Sequence, residues 1–553
     1  MKKLICLILS AIMVFSLATP VFAESKGKWA SVENETPVIY ISGDSQGLSY
    51  DNGTKTFAIE DMIDIFGDNG DGNISEAAFN ILFPFVMKGI LNDDWDDYYK
   101  AVYDEISQAY APVLLDKNGE PATDCGLSAK LKAYNAESMV VDRKTKDGRY
   151  TERGYQFYYD WRLDPIELAD ELNIFIEGVK KVTGHDKVSL SVKCLGCNVA
   201  LAYIDKYGTD SLKGIGFDVA TSMGAEFISG MVSGKFGLDG NSISRVATYM
   251  SEREMAYTDV ARVATSILDL LDNTGVLDAF NKELREKIYS KIEYGIVSAL
   301  ALSTFMTYPC YWALVTLEDF DNALFYVFGE EGSEKREEYK GLIEKITYYN
   351  EKIKKNVLPI MKSVEEAGVN ICVVSKYGVQ MVPVLKGGTT YLGDEYVSAY
   401  RSSFGATTGT VYETLSDEYI AQRVAEGKGK YISPDNQIDA STCLFPDYTW
   451  FFKGEPHGFY CTEECDLIMN VIDADRQLTI DDFDWTQFIS YAYIGRKASP
   501  MTKDNCNTEY WEADEKIDHP QTKNEKIFSL IKSAIRVLVS LVNFIKERLF
   551  VVK

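Results

Sequence analysis

The sequence predicts an α/β fold: a mostly parallel central sheet with a helical region inserted into it. Three observations predict it. Residues 187–219 read as strand, sharp turn, helix and strand again, the order that places two parallel strands side by side. Short apolar runs stand on either side of that unit, at Val38-Ile39-Tyr40-Ile41 and at Val369-Asn370-Ile371-Cys372-Val373-Val374. Between the two halves, residues 225–357 follow a mostly helical pattern with no clear sheet strand.

Taken in chain order, residues 1–23 read as a secretory signal. Lys2 and Lys3 precede an apolar run over 4–18, and Val21-Phe22-Ala23 offers small residues for cleavage. The run is short for a membrane span, so the mature protein is expected to start near Glu24 and to lie outside the cytoplasm. The first part of the core is expected over 24–224. It opens with the strand at 38–41, which enters a turn at Ser42-Gly43. Helical spacing follows over 75–112, a strand over 138–141, and a helix over 165–182 started by Asp164-Pro165. Val and Ser alternate through the strand at 187–192, and another strand covers 212–219.

The helical cap is expected over 225–357. Within it, 296–317 is 22 residues without a charge, long enough to span a bilayer. Pro309, several hydroxyl residues and the following Glu318 and Asp319 instead favour a buried or lipid-facing cap element. The second part of the core is expected over 358–515, with a strand at 369–374, a Gly-rich loop region to about 435, and 449–452 as the last strand. Residues 516–553 read as a linker and an amphipathic helix. Over 526–553 six basic residues stand against one acidic, and the polar positions fall on one face. Contact with a membrane surface or cell envelope and docking on the protein itself both fit that pattern.

The chain has 553 residues, more than one compact core needs, with 46% hydrophobic and 25% charged residues. A net charge of -26 repels nucleic acid and anionic membranes at long range, so no nucleic-acid partner is expected. Ten cysteines are present; Cys6 leaves with the signal, and the odd remainder cannot all pair within a monomer. A chain of this size folds without disulfides, so none is required.

The turn at 192–196 carries the chemistry. A nucleophile elbow lifts one side chain above the sheet between a strand and a helix, in the pattern G-x-S-x-G. Here the five residues are Val192-Lys193-Cys194-Leu195-Gly196: the second glycine is present, and cysteine stands in the serine position. This sharpens the fold class to an α/β-hydrolase. A thiolate is a strong nucleophile that a helix N-terminus favours, and Lys193 adds positive charge if it points inward. Cys194 and Cys197 also form C-x-x-C, which leaves a buried cysteine or a redox pair open.

Tyr159-Asp160-Trp161-Arg162, followed by Leu163-Asp164-Pro165, resembles the Y-D-W-R segment of the lecithin:cholesterol acyltransferase-like lipase family. Pro37 to Gly43 is similar to that family's first core strand and oxyanion turn. Asp435-Asn436-Gln437-Ile438-Asp439 resembles its acid-bearing D-G-T-V segment, and Tyr308-Pro309-Cys310 a stretch after its lid. The resemblance implies a lid, a nucleophile–acid–histidine triad and acyl-ester chemistry on lipids. It implies Asp435 as the acid.

Three histidines are available as the base. His185 precedes the elbow strand, at the wrong end of the sheet, and His519 lies in a polar stretch before the tail. His457 follows the strand at 449–452, where the family's histidine falls. The order Cys194, Asp435, His457 is that of α/β-hydrolases. Backbone N–H groups of Leu195 and of Asp44 or Ser45 are expected to form the oxyanion hole. Asp439 and Asp447 are rival acids, and Asp435 in Ser-Pro-Asp-Asn also suits a plain turn.

No metal or cofactor is expected. His457, Cys461 and Cys465 have a spacing that could hold zinc, but no fourth ligand is visible. Asp473-Ala474-Asp475 echoes a calcium loop without its glycine or final glutamate, and Asp68 to Asn73 has the wrong spacing. The expected partner is an apolar acyl ester or lipid. A non-catalytic binding protein on the same scaffold, and a C-x-x-C redox protein, are the alternatives.

Overall fold

The computed structural model describes residues 36–43, 48–49, 55–57, 84–90, 92–143, 150–235, 291, 295, 305–379, 381, 391–410, 413–484, 486–492 and 497–506. The expected signal, the 75–83 part of the first helical stretch, residues 296–304 and the basic tail lie outside them.

Nine strands form one sheet: β1 (Val38–Ile41), β2 (Val140–Arg143), β3 (Tyr150–Gln156), β4 (Val188–Lys193), β5 (Leu212–Asp218), β6 (Asn370–Tyr377), β7 (Thr449–Lys453), β8 (Phe488–Ala492) and β9 (Lys497–Pro500). Across the sheet the order is β9-β8-β7-β6-β5-β4-β1-β3-β2. The seven central strands run parallel, and β2 and β9 close the edges antiparallel. The expectation that 449–452 is the last strand is corrected: β8 and β9 follow it. Strand β3 was also not foreseen. Its Tyr-Thr-Glu-Arg-Gly-Tyr-Gln has little apolar alternation, and its place between β1 and β2 comes from backbone pairing.

Alternation along the strands builds a core on each face. Ile39 and Ile41 of β1, and Ile371 and Val373 of β6, join one cluster; Val38, Tyr40, Cys372 and Val374 join the other. The first face is covered by α1 (Pro165–Thr183) and α2 (Gly196–Tyr207), the second by α3 (Thr462–Asp473). Helix α1 starts as its sequence suggests: the Asp164 carboxylate accepts from Ile166 N–H at 3.0 Å, Pro165 takes the first turn, and Gly184 at φ 73° ends it.

Among the described residues of 225–357 there is no strand. Met306, Tyr308, Trp312, Phe320 and Leu342 of this segment are buried in the same cluster as α1 and α2, so its described residues from 305 on pack onto the sheet's first face. The described end of the uncharged stretch is broken into short turns, Phe305–Thr307 and Pro309–Trp312, and no described helix is long and apolar enough to cross a membrane. Cys194, Cys197, Cys372, Cys443 and Cys461 are free thiols.

Candidate active site

Strand β4 ends at Lys193, and the chain turns sharply into α2 at Gly196. Cys194 sits in that turn at φ 50°, a left-handed conformation that costs a non-glycine residue energy and is held by its surroundings. Cys194 N–H donates to Asp218 O at 3.2 Å, and its carbonyl accepts from Cys197 N–H at 3.0 Å and the Thr221 hydroxyl at 2.8 Å. The side chain remains half-buried while Val192 and Leu195 on either side are buried. Glycine at 196 has a steric reason: a Cβ there would stand 2.5 Å from Ile41 O and 2.8 Å from Ser42 O. The start of α2 is thereby pressed against the end of β1. The absence of glycine at Val192 is tolerated because that side chain enters the core.

His457 lies in the loop after β7, buried, with Nδ1 2.9 Å from the Asp394 carboxylate. Burial alone would lower the imidazole's pKa. The Asp394 charge, with its hydrogen bond to the ring, and the neighbouring Cys194 side chain outweigh burial and raise it well above the usual value. Since Nδ1 faces Asp394, Nε2 is the nitrogen left for Cys194. The edge of Tyr396 closes one side of the ring, with centroids 5.2 Å apart.

The expected acid, Asp435, does not meet the imidazole. Its carboxylate pairs with Lys453 Nζ at 2.9 Å and accepts from the Tyr377 hydroxyl at 3.0 Å. The rivals are engaged elsewhere too: Asp439 with Arg423 and Tyr419, Asp447 with Tyr431. Asp394 takes the place. Its Oδ1 accepts from Tyr396 and Val397 N–H groups, Oδ2 faces His457, and its backbone carbonyl accepts from His457 N–H at 3.0 Å. Asp394 and Asp435 both fall between β6 and β7, so chain order alone could not separate them. The Gly393-Asp394 step inside the Gly-rich region was the available signal.

The fold is a mostly parallel α/β sheet with helices on both faces and a sharp strand–turn–helix step at Cys194. No family model matches the sequence, and no curated protein matches it. Among solved structures, the chain is similar to one described as "The crystal structure of Tle4-Tli4 complex", at 12% identity, covering 63% of this chain and 76% of that one, with a TM-score of 0.25.

The turn after β1 runs past the thiol. A Cβ built on Gly43 would lie 3.6 Å from Cys194 Sγ and 3.8 Å from Leu195 N. Leu195 N–H makes no hydrogen bond among the described residues. Asp44 and Ser45, the other expected donors, lie outside the described residues. Of the remaining histidines, His185 stands before β4 at the opposite end of the sheet, and His519 is not described.

Lys193 points away from the role suggested for it. Its ammonium pairs with Asp218 at 2.8 Å, donates to Phe459 O at 3.2 Å and sits 3.4 Å over the Tyr460 ring. Lys376 donates to the same carbonyl at 2.7 Å and pairs with Glu464 at 2.9 Å. Burial raises the Glu464 carboxyl well above its usual pKa, helped by Asp218 and Glu455; Asp218 itself, despite burial, is held at about 2 by Lys193 and Lys376. This cluster grips the loop that carries His457. Among the described residues, Glu455, Cys461 and Glu464 form a group whose atoms lie close enough together to hold a cation, and Lys376 already supplies positive charge there. The zinc spacing does not assemble, because His457 is turned to Asp394. Asp473, the last residue of α3, accepts from Thr36 N–H and pairs with Lys213.

Each residue of the Tyr-Asp-Trp-Arg segment has a contact of its own. Arg162, fully buried, makes two bonds to Asp160 and donates to Val113 O and Cys125 O, tying that earlier loop to the core. Trp161 packs edge-on against Tyr308 and Tyr311 of the insertion. Tyr159 reaches the turn after β1.

Proposed function

We propose that this chain is an extracellular acyl-ester hydrolase or acyltransferase that works through a thioester on Cys194. The observation that carries the reading is the convergence on one thiol: Cys194 strained at the elbow, His457 against it, and Asp394 on the far side of the imidazole. The resemblance of Tyr159 to Arg162 to the lecithin:cholesterol acyltransferase-like lipases supports an apolar acyl chain as the substrate, reached through the apolar insertion.

In the reaction the Cys194 thiol passes its proton to His457, the sulfur attacks the acyl carbonyl, and the carbon–oxygen bond to the alcohol breaks. The protonated His457 gives its proton to the leaving alkoxide, and Asp394 keeps the ring oriented. Leu195 N–H meets the negative charge that develops on the carbonyl oxygen. Water or another acceptor, deprotonated by His457, then releases the acyl group and returns the thiol. The redox alternative is disfavoured because Cys197 is fully buried, and burial pushes its thiol well above the usual pKa.

The test is intact-mass spectrometry after exposure to p-nitrophenyl octanoate. An octanoyl adduct on Cys194 is expected, with slower formation in His457→Ala and none in Cys194→Ala. A folded wild-type chain that never gains the adduct, nor releases p-nitrophenol, overturns the reading.

A further inference from the structure

We infer that Tyr159 is a positioning residue for the oxyanion side of this site, acting through the turn that follows β1; the inference rests on the acyl-transfer reading above. The Tyr159 ring is fully buried and stacked on Phe157, with centroids 5.7 Å apart. Its hydroxyl donates to two successive carbonyls, Ser42 O at 2.7 Å and Gly43 O at 3.0 Å. These belong to the turn that passes Cys194 Sγ and Leu195 N.

A trans peptide points its N–H opposite to its C=O, so holding the Ser42 carbonyl fixes the direction of the Gly43 N–H. The same carbonyl is approached by Gly196, where a Cβ would come within 2.8 Å of it. Ser42 O thus lies close against the first residue of the elbow helix and is held by the Tyr159 hydroxyl. Gln156 adds a bond from its side-chain amide to Tyr40 O at 3.0 Å, which steadies the strand leading into the turn. Preorganised amides act on charge that appears only in the transition state, so loosening this turn should slow acylation while leaving the thiol itself in place.

Tyr159→Phe removes the hydroxyl and keeps the ring. Two rates on Cys194 separate the roles: acylation by p-nitrophenyl octanoate, which develops an oxyanion, and alkylation by iodoacetamide, which does not. In Tyr159→Phe we expect kcat for the ester to fall about 10- to 100-fold, with KM and the alkylation rate within about twofold of wild type. The control Phe157→Leu should lower thermal stability and leave the ratio of the two rates unchanged. If Tyr159→Phe does not fold, 4-aminophenylalanine at 159, which keeps a donor, is compared with 4-methylphenylalanine, which does not; only the former should hold the wild-type ratio. Equal acylation in variant and wild type overturns the inference, as does a parallel fall of both rates, which would make Tyr159 a support of the whole elbow. A wild-type chain that alkylates but never acylates overturns the reading underneath, and this role falls with it.

Discussion

Asp394 and Asp435 are built alike and do different work. Both lie in the connection between β6 and β7, and both carboxylates are buried. In each, Oδ1 accepts a backbone N–H two residues ahead, Tyr396 for one and Gln437 for the other. In each, Oδ2 meets a basic group at or just beyond the end of β7, at 2.9 Å. For Asp435 that group is Lys453, the last residue of the strand; for Asp394 it is His457, four residues on. The same local turn therefore serves a structural ion pair in one place and an oriented imidazole in the other. What distinguishes them is which basic side chain the loop after β7 brings to the spot.

The comparison breaks most sharply at Asp394. Asp394→Asn is expected to lower kcat for p-nitrophenyl octanoate by about 10³- to 10⁴-fold, because the amide no longer holds the imidazole in its working tautomer. Steady-state kinetics on the folded variant check this, and a loss under about tenfold would return the acid role to another residue. Asp435→Asn should do the reverse. It leaves the Lys453 ammonium buried without its charge partner, so stability should fall by about 3 kcal/mol in urea denaturation while kcat in the folded protein stays within about twofold. A catalytic loss there without a stability loss would reverse the assignment.

Lys354 gives the smallest expected effect and tests the same principle from the other side. It is a buried base whose ammonium meets a carbonyl, Ala313 O, rather than a carboxylate. Burial, with some repulsion from Arg401, lowers its pKa from 10.5 to about 7. Below about 7 the lysine is charged in both the folded and unfolded chain, and the folded state bears the full penalty. Between about 7 and 10.5 the unfolded chain binds the extra proton, so the penalty shrinks as pH rises. Lys354→Met should therefore raise the thermal midpoint by a few degrees at pH 6, with the gain narrowing toward pH 10. A gain independent of pH would show that packing, not charge, is the cause.

Much of the fold was legible because the central strands carry their own signal. β1, β6 and β7 carry short apolar runs, β4 and β5 alternate apolar with small or polar residues, and Asp164-Pro165 and Gly184 mark the ends of α1. The strands β3, β8 and β9 lie toward the edges, where partners supply the pairing and the sequence need not be apolar. At the site, the elbow was legible through Gly196, whose reason is local crowding. The acid was not. Several aspartates in one long connection form suitable turns, and only tertiary packing decides which of them faces the imidazole. The turn contact of Tyr159 was hidden for the same reason, being made between residues 116 and 117 positions apart.

The cluster of Lys193, Asp218, Lys376, Glu455 and Glu464 bears on how this chain can change over time. Two ammonium groups and three carboxyls share one buried volume behind the histidine loop, and replacing Lys193, Lys376 or Asp218 alone leaves a charge unmatched. Single substitutions there should be costly and paired ones much less so, a large departure from additivity. Drift at these five positions is therefore expected to be concerted, and the loop that carries His457 moves through sequence space only together with the strand ends beneath it.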